Sequence, residues 1–390
     1  MMRTVPKILY CATVDYHFKA FHLPYMKWFK EQGWDVHVAA SGTLDLPFTD
    51  QKFDIPIKRS PFDIQNIKAF KELKRIIDQN QYEIIHCHTP LGGVLARLAA
   101  KQARKTGTKV IYTAHGFHFC KGAPITNWLV YYPIERYLSR FTDSLITINS
   151  EDYQLAKSHR FQAKQIEHVH GVGVDTERFK PHTEARKVEE RIKLGYGTDD
   201  FLLFYAAEFN RNKNQQLLIR SLAQVKDELP QARLLLAGEG VLMEECKALA
   251  RTLNVEERVE FLGFRKDIDQ LLPICDLAVA SSLREGLPVN IMEAMACGLP
   301  VVASENRGHF ELIEPNRNGY LVNAVDIHLF SNYLVDMYQS KELLNKLGKG
   351  SIEVINKYSL QQTSYELSVI YSRYMEDQNE AKSQYHRAYL

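Results

Sequence analysis

Apolar runs of four to eight residues alternate with longer stretches of helical periodicity along the chain. In the first half they are KILYCAT, DVHVAAS, EIIHCH, KVIYTAH and SLITIN, and in the second FLLFYAAE, ARLLLAG, RVEFLG, LAVASS and VVAS. Runs with so few polar residues suit strands buried on both faces, which is how parallel sheets read. Strands separated by helical patterns predict parallel sheets covered by helices on both sides. At 390 residues the chain has room for two such domains of about 100 to 200 residues each. The change of domain falls in VDTERFKPHTEARKVEERIKLGYGTDD, which is highly charged and lacks strand character. The expected organisation is a first domain over 1–175, a hinge over 176–200 and a second domain over 201–360, followed by a closing amphipathic helix over 361–376 that packs back toward the first domain and a frayed polar tail over 377–390. Ligands of open α/β sheets sit beyond the carboxyl ends of the strands, so two facing domains would hold the site in a cleft between them.

Candidate chemistry is therefore sought at strand ends, and REGLPVNIMEAMACGLPVVAS is the most informative run. Val289, Ile291, Met292, Ala294, Met295 and Ala296 leave almost no polar face around Glu293, so this helix should be buried. A carboxylate there needs a partner: a ligand, a buried arginine or a backbone amide. Pro288 fits the first helical turn, Gly298 fits just past the end, and VVAS reads as the next buried strand. Gly286, Leu287 and Pro288 lead into the helix, whose exposed starting N–H groups attract an anion, and Glu285 and Glu293 can each accept two hydroxyl hydrogen bonds. Phosphate beside vicinal diols describes a sugar nucleotide.

His115 and Gly116 end the strand KVIYTA, where the imidazole can reach a hydroxyl and the glycine lets backbone approach. His17 and His22 hold the corresponding place after the first strand. Glu208, Arg211 and Lys213 follow FLLFYAA, and two cations there would neutralise a diphosphate. Gly238 and Gly240 resemble a phosphate-side turn, although the full dinucleotide fingerprint is absent. No metal site is expected. His86-Cys87-His88 alternates along a strand, His115 and His118 lack companion ligands, and Asp267-Ile268-Asp269 reads as acids favouring a helix start.

Charge and composition narrow the classes. The net charge of +2 conceals 20 Lys or Arg against 12 Asp or Glu in residues 1–150. Lys68, Lys71, Lys74 and Arg75 lie at helical spacing, and Arg97, Lys101, Arg104, Lys105 and Lys109 form a second group. These are solvated helix faces that would also draw anionic lipid headgroups. Nucleic acid is not expected, because no binding motif accompanies the charge. Apolar runs fall short of the roughly 18 residues of a membrane span, the N-terminus suits a first strand better than a secretory signal, and six unpatterned cysteines suggest buried thiols in a reducing cytoplasm. Phe117, Phe119, Trp128, Tyr131 and Tyr132 read as helix and core packing.

Taken together, AGEGVLMEECKALARTLNVEERVEFLGF, LLPICDLAVASSLREGLPVNIMEAMACGLPVVAS and HGVGVDTERFKP resemble glycosyltransferase family 4, retaining enzymes with the GT-B fold of two Rossmann-like domains. Glu285 and Glu293 match that family's E-x7-E spacing. ATVDYHFKAFHLPYMKWF, HCHTPLGGVLARLAA and YTAHGFHFCKGAPITNWLVYYPIERYLSRF look like the branch assembling bacterial capsular and extracellular polysaccharides. The resemblance implies that Glu285 contacts donor-sugar hydroxyls, Glu293 the ribose and His115 the sugar, while backbone from Gly263 through Phe264 to Arg265 meets the base. It also implies a hexosyl- or N-acetylhexosaminyltransferase using a nucleotide-sugar, UDP-linked by expectation, and a lipid-diphosphate-linked acceptor. The setting would be cytoplasmic, at the inner membrane face, with no cofactor or metal. Two departures stand out: His17 and Phe18 replace a glycine pair in the first loop, and Ala207-Glu208 replaces the family's Gly-Arg, leaving Arg211 with Lys213 to supply the diphosphate charge. A sugar-nucleotide 2-epimerase and a non-catalytic nucleotide-sugar-binding subunit of a polysaccharide assembly complex are the alternatives.

Overall fold

A computed structural model describes residues 5–388, with side chains described through 375. The chain forms two compact units, one of residues 1–173 with 363–390 and one of 174–362. The first unit holds β1 (Lys7–Val14), β2 (Asp35–Ser41), β3 (Gln51–Asp54), β4 (Ile84–His88), β5 (Lys109–Ala114), β6 (Ser144–Thr147) and β7 (Gln165–His168) in one sheet of order β3-β2-β1-β4-β5-β6-β7. The second holds β8 (Phe201–Ala206), β9 (Ala232–Ala237), β10 (Val259–Gly263), β11 (Leu277–Ala280), β12 (Val301–Ser304) and β13 (Gly319–Val322), ordered β10-β9-β8-β11-β12-β13. Every ladder in both sheets is parallel. In each sheet the strand order reverses direction once, between β1 and β4 and between β8 and β11, and such switch points leave a crevice at the carboxyl edge.

The ten apolar runs all become strands. β3, β7 and β13 are additional, each four residues long and each at the edge of its sheet. Edge strands are covered on fewer sides, so QKFD and QIEH carry polar residues and show no continuous apolar run. A helix, Glu184–Lys193, lies within the charged stretch taken as the hinge; its Arg191 and Lys187 both pair with Asp276 of the second unit. The closing helix runs Leu360–Ala388, past residue 376. The polar tail expected over 377–390 rests on side chains and end residues outside those described. Tyr371 of this helix bonds His86 Nδ1 at 2.7 Å, and Tyr374 bonds Ser144 Oγ at 2.7 Å, both within the first unit. None of the six cysteines forms a disulfide, and five of them are buried.

Arg97 corrects one expectation. It does not belong to a solvated basic face but is buried, 1% exposed, on the helix Pro90–Ala99. Its guanidinium bonds Glu135 at 2.8 Å and Gly93 O at 2.9 Å, and lies 3.9 Å from the centre of the Tyr112 ring. Gly93 makes this packing possible, because a Cβ there would come within 2.4 Å of Tyr112. Arg104 is likewise engaged, holding Asp143 through both carboxylate oxygens. Phe117 and Phe119 are core residues, and Trp128, Tyr131 and Tyr132 pack against the same core, in keeping with the packing role read from their spacing.

Breaking a buried ion pair by removing one partner costs about 3 to 5 kcal/mol, whereas replacing both by apolar groups is far milder. Glu135→Leu should therefore lower the urea-unfolding free energy by about 3 kcal/mol or more, and Arg97→Met combined with Glu135→Leu should recover much of the loss. Equal losses in the single and double variants would show that shape, not charge, decides this site.

Candidate active site

In the second unit the loops after β8 and β11 are laced together at the switch point. Leu283 N donates to Asn212 O at 2.7 Å, Asn212 Nδ2 donates to Arg284 O at 3.0 Å, and Ser281 Oγ donates to Lys213 O at 2.7 Å. Asn210 Oδ1 accepts from Lys213 N at 3.1 Å, just before the helix Gln215–Gln224. These bonds fix the Lys213 backbone and bring its Nζ to 2.6 Å from Glu285 Oε1. Arg307 Nε donates to Glu285 O at 3.2 Å, and Gly308 leaves room for this strand-end loop, since a Cβ there would meet Glu285 Cβ at 2.8 Å.

Beyond Glu285 the chain turns through half-buried Gly286 and Leu287 into the helix Val289–Ala296. Pro288 stands at its N-cap, one residue earlier than expected, and Gly298 lies just past its end with φ +78°. Asn290 Nδ2 donates to Ala206 O at 2.9 Å and ties the helix start to the end of β8. Five of the helix residues are buried, as the apolar pattern requires. Glu293 is partly buried, and among the described residues no side chain or backbone amide hydrogen-bonds its carboxylate. Arg178 is near enough to favour the charged form, but its guanidinium is engaged by Asp269 at 3.0 Å. Burial therefore dominates and pushes the Glu293 carboxyl up to about 7. Neither bland partner, a buried arginine pair or a backbone cap, satisfies this group.

The loops after β8, β9 and β10 also interlock. Gly238 N donates to Gly263 O at 2.7 Å, and Phe209 N donates to Glu239 O at 2.8 Å. Gly238 has φ +139°, and a Cβ on it would lie 2.1 Å from Ala207 O, so the close approach of two strand-end loops requires glycine. Phe264 is exposed beside half-buried Arg265. Asp267 occupies the N-cap of the helix Ile268–Leu271, yet its carboxylate makes no capping bond; both oxygens are held by Arg265, with Nε at 2.8 Å from Oδ1. Asp269 is taken by Arg178. The acids of this Asp-x-Asp run are thus ion-pair partners. Arg211 is exposed and lines a pocket with Gln216, Leu242 and Glu245, apart from the Lys213–Glu285 pair; Glu208 is exposed as well.

In the first unit the carboxyl ends of β1, β4 and β5 bring histidines together. His22 Nε2 lies 3.1 Å from His17 Nε2, and His88 Nδ1 lies 3.3 Å from His115 Nε2. His86 packs against His88 with ring centres 4.1 Å apart and the rings tilted by 39°, and its nitrogens are used by Tyr371 and Thr113. Burial depresses all five imidazoles, His17 to about 4 and His86 to about 3, with His22, His88 and His115 well below the ordinary value, so the cluster is neutral. Gly116 follows His115 and is half-buried. Sequence reading placed His17, His22 and His115 at strand ends but did not bring them together with His88; their residue numbers are scattered, and only the shared carboxyl edge of a parallel sheet collects them.

Residues 186–354 match the family described as Glycosyl transferases group 1, and residues 7–149 match Glycosyl transferase 4-like. The chain belongs to glycosyltransferase family 4, and its two parallel sheets are those of the GT-B fold. It is 51% identical over 377 residues to EpsD of Bacillus subtilis (strain 168), a protein assigned as a glycosyltransferase, covering 97% of this chain and 99% of that one. It is 29% identical over 301 residues to the UDP-Gal:α-D-GlcNAc-diphosphoundecaprenol α-1,3-galactosyltransferase of Escherichia coli, covering 76% of this chain and 77% of that one. Among solved structures, HepE from Anabaena in complex with UDP and glucose superposes with a TM-score of 0.76 at 22% identity, covering 94% of this chain and 100% of that one.

The raised Glu293 carboxyl has a stability consequence of definite sign. The folded protein keeps a proton up to about pH 7 that the unfolded chain loses near 4.5, so ionising Glu293 destabilises the fold progressively as pH rises between those values. Glu293→Gln should raise the melting temperature at about pH 8, corresponding to roughly 3 kcal/mol, and the gain should shrink toward zero near pH 4. A gain independent of pH would contradict the assigned cause.

Proposed function

We propose that this glycosyltransferase moves a sugar, with retention of anomeric configuration, from a UDP-sugar to a lipid-diphosphate-linked saccharide during assembly of a bacterial exopolysaccharide. The observation that carries the donor side is Glu293, a half-buried carboxylate with no hydrogen-bond partner among the described residues, set one short helix beyond the Lys213–Glu285 pair at the carboxyl edge of β8 and β11. Such a group accepts two hydroxyls of a ribose without displacing an existing partner. Glu285 accepts hydroxyls of the donor sugar. Lys213, paired with Glu285, has further donors to turn toward a diphosphate, joined by N–H groups of Gly286, Leu287 and the helix start. Arg211 adds charge at the same strand end. In the first unit His115 and His17 offer neutral imidazole nitrogens to sugar hydroxyls.

In this mechanism the acceptor hydroxyl attacks the anomeric carbon on the face from which the diphosphate departs. The bond from anomeric carbon to phosphate oxygen breaks as the new glycosidic bond forms, and the departing phosphate oxygen takes the hydroxyl proton. The protein acts by positioning and by offsetting the growing negative charge on the diphosphate, chiefly through Lys213. The UDP choice is supported by the UDP-bound HepE structure and by the UDP-galactose named for the E. coli relative, whose name also carries the lipid-diphosphate acceptor.

Nucleotide release should be measured from UDP-, GDP- and ADP-sugars, with and without a detergent extract of bacterial lipid-linked sugars, followed by mass spectrometry of the lipid. The expected result is release from a UDP-sugar that rises with extract, with one sugar mass added to the lipid. An epimerised donor, or a bound but unchanged one, would overturn the transferase role proposed for this site. Lys213→Ala should lower turnover about a hundredfold or more. Glu293→Gln should weaken donor binding about tenfold to a hundredfold, the worth of a charged hydrogen bond. Normal turnover or unchanged donor binding in the respective variant would remove its assigned role.

Among the described residues no helix is long and apolar enough to cross a membrane. The first unit nonetheless exposes Phe62 (90%) and Ile64 (80%) beside Lys68, Lys71 and Arg75, and Ile125 (71%) and Leu129 (69%) on the helix Ile125–Ser139. Apolar side chains next to lysines and arginines favour peripheral contact with an anionic bilayer. Binding to vesicles containing phosphatidylglycerol should exceed binding to neutral vesicles and fade as salt rises from about 0.05 to 0.5 M. Equal binding to both would contradict it.

A further inference from the structure

The histidine cluster at the carboxyl edge of β1, β4 and β5 has a geometry that hydroxyl recognition does not need. His17, His22, His88 and His115 each present one ring nitrogen, and these four atoms lie within 4.8 Å of one another. Zinc bound tetrahedrally by imidazoles has Zn–N distances of about 2.0 to 2.1 Å, which sets neighbouring nitrogens about 3.3 Å apart. The two close pairs, at 3.1 and 3.3 Å, already match that spacing. Two rings of the cluster are enclosed, His22 and His88; their nitrogens in the close pairs are Nε2 and Nδ1, and the other nitrogen of each ring, Nδ1 of His22 and Nε2 of His88, has no hydrogen-bond partner. The nitrogens of the close pairs hydrogen-bond each other, so it is the convergence of four imidazoles on one small volume that points to a ligand. His86, which packs against His88, has both nitrogens occupied and supports the cluster.

We propose that His17, His22, His88 and His115 form a binding site for a zinc-class divalent ion. The donor set selects the ion: four imidazoles suit Zn²⁺, Co²⁺, Ni²⁺ or Cu²⁺, whereas Mg²⁺ and Ca²⁺ require oxygen ligands. Burial holds the rings neutral, so each has one lone pair to donate, and binding releases no proton. The four neutral ligands leave the ion's two positive charges uncompensated. His17 and His115 are only partly covered, so that charge sits at the mouth of the cluster, where an ion can enter. An imidazole that coordinates the ion through one nitrogen keeps an N–H on the other, so His17 and His115 can still donate to a sugar hydroxyl. The metal site itself does not depend on the proposed transfer reaction.

The test uses untagged full-length protein stripped with chelator, titrated with Zn²⁺ against a chromophoric indicator and separately with Co²⁺. One equivalent of Zn²⁺ should bind, Co²⁺ should give the intense visible bands of four-coordinate geometry, and Zn²⁺ should raise the melting temperature. His17→Gln and His22→Gln should each weaken binding at least about tenfold, while His118→Gln, on an exposed histidine outside the cluster, should bind as the parent does. Should His22→Gln fail to fold, the partly exposed His17→Gln decides alone. Absence of stoichiometric binding, a six-coordinate Co²⁺ spectrum, or unchanged affinity in His17→Gln would overturn the proposal. None of these readouts requires turnover, so a failed metal site and a failed transferase reading remain distinguishable.

Discussion

A parallel sheet cannot be closed by short hairpins; each strand must return through a crossover, and in this chain every ladder is parallel. That constraint puts the carboxyl ends of all strands in a sheet on one edge and buries their central residues between helices. The chemistry then falls in the loops of that edge, where helices begin and backbone N–H groups are left without helical partners. At the β8/β11 switch point, cross-loop hydrogen bonds from Asn212, Leu283 and Ser281 convert a flexible edge into a fixed frame. Lys213 and Glu285 meet because of that frame, although 72 residues separate them.

Within the frame, two carboxylates eight residues apart have different electrostatic circumstances. Glu285 is paired with Lys213, and its charge is compensated where it sits. Glu293 lies on an apolar helix, with Arg178 nearby but committed to Asp269, and its proton is held to about pH 7. An uncompensated buried carboxylate works against folding, and a position that only maintained the fold would be better filled by an apolar residue. Perturbed carboxyls of this kind gather at functional sites, although structural networks produce them as well. Here no structural partner accounts for the group: among the described residues there is no hydrogen bond to the carboxylate.

Central strands were legible because burial on both faces forces a continuous apolar run, and all ten such runs are strands. β3, β7 and β13 escaped because they are edge strands of only four residues, whereas the edge strand β10 is longer and kept a readable apolar run. The E-x7-E run was readable for a local reason: the turn, the helix and both carboxylates come from one continuous segment. Long-range partners were not readable. Arg97 sits among lysines at helical spacing, and nothing local reveals that Glu135 and Tyr112 enclose it. Asp267 had the position of a cap, and Arg265 two residues earlier claimed its oxygens instead. The histidines were visible singly, while their assembly depended on strand order.

The two switch points share a topology and differ in charge. In the second unit a lysine and two carboxylates stand at the strand ends, a set suited to a charged diphosphate and to hydroxyls that favour ionic acceptors. At the first unit's switch point the groups are imidazoles, depressed by burial and by one another, with Tyr10, His86 and Tyr371 packed beneath them. A neutral imidazole can donate from one nitrogen and accept at the other, which suits an uncharged hydroxyl, and it is also the common ligand form for zinc. A charged lysine in the same place would preclude the second use and narrow the first. Parallel topology therefore supplies the location twice, and the choice between ionic and neutral side chains separates what each location can recognise.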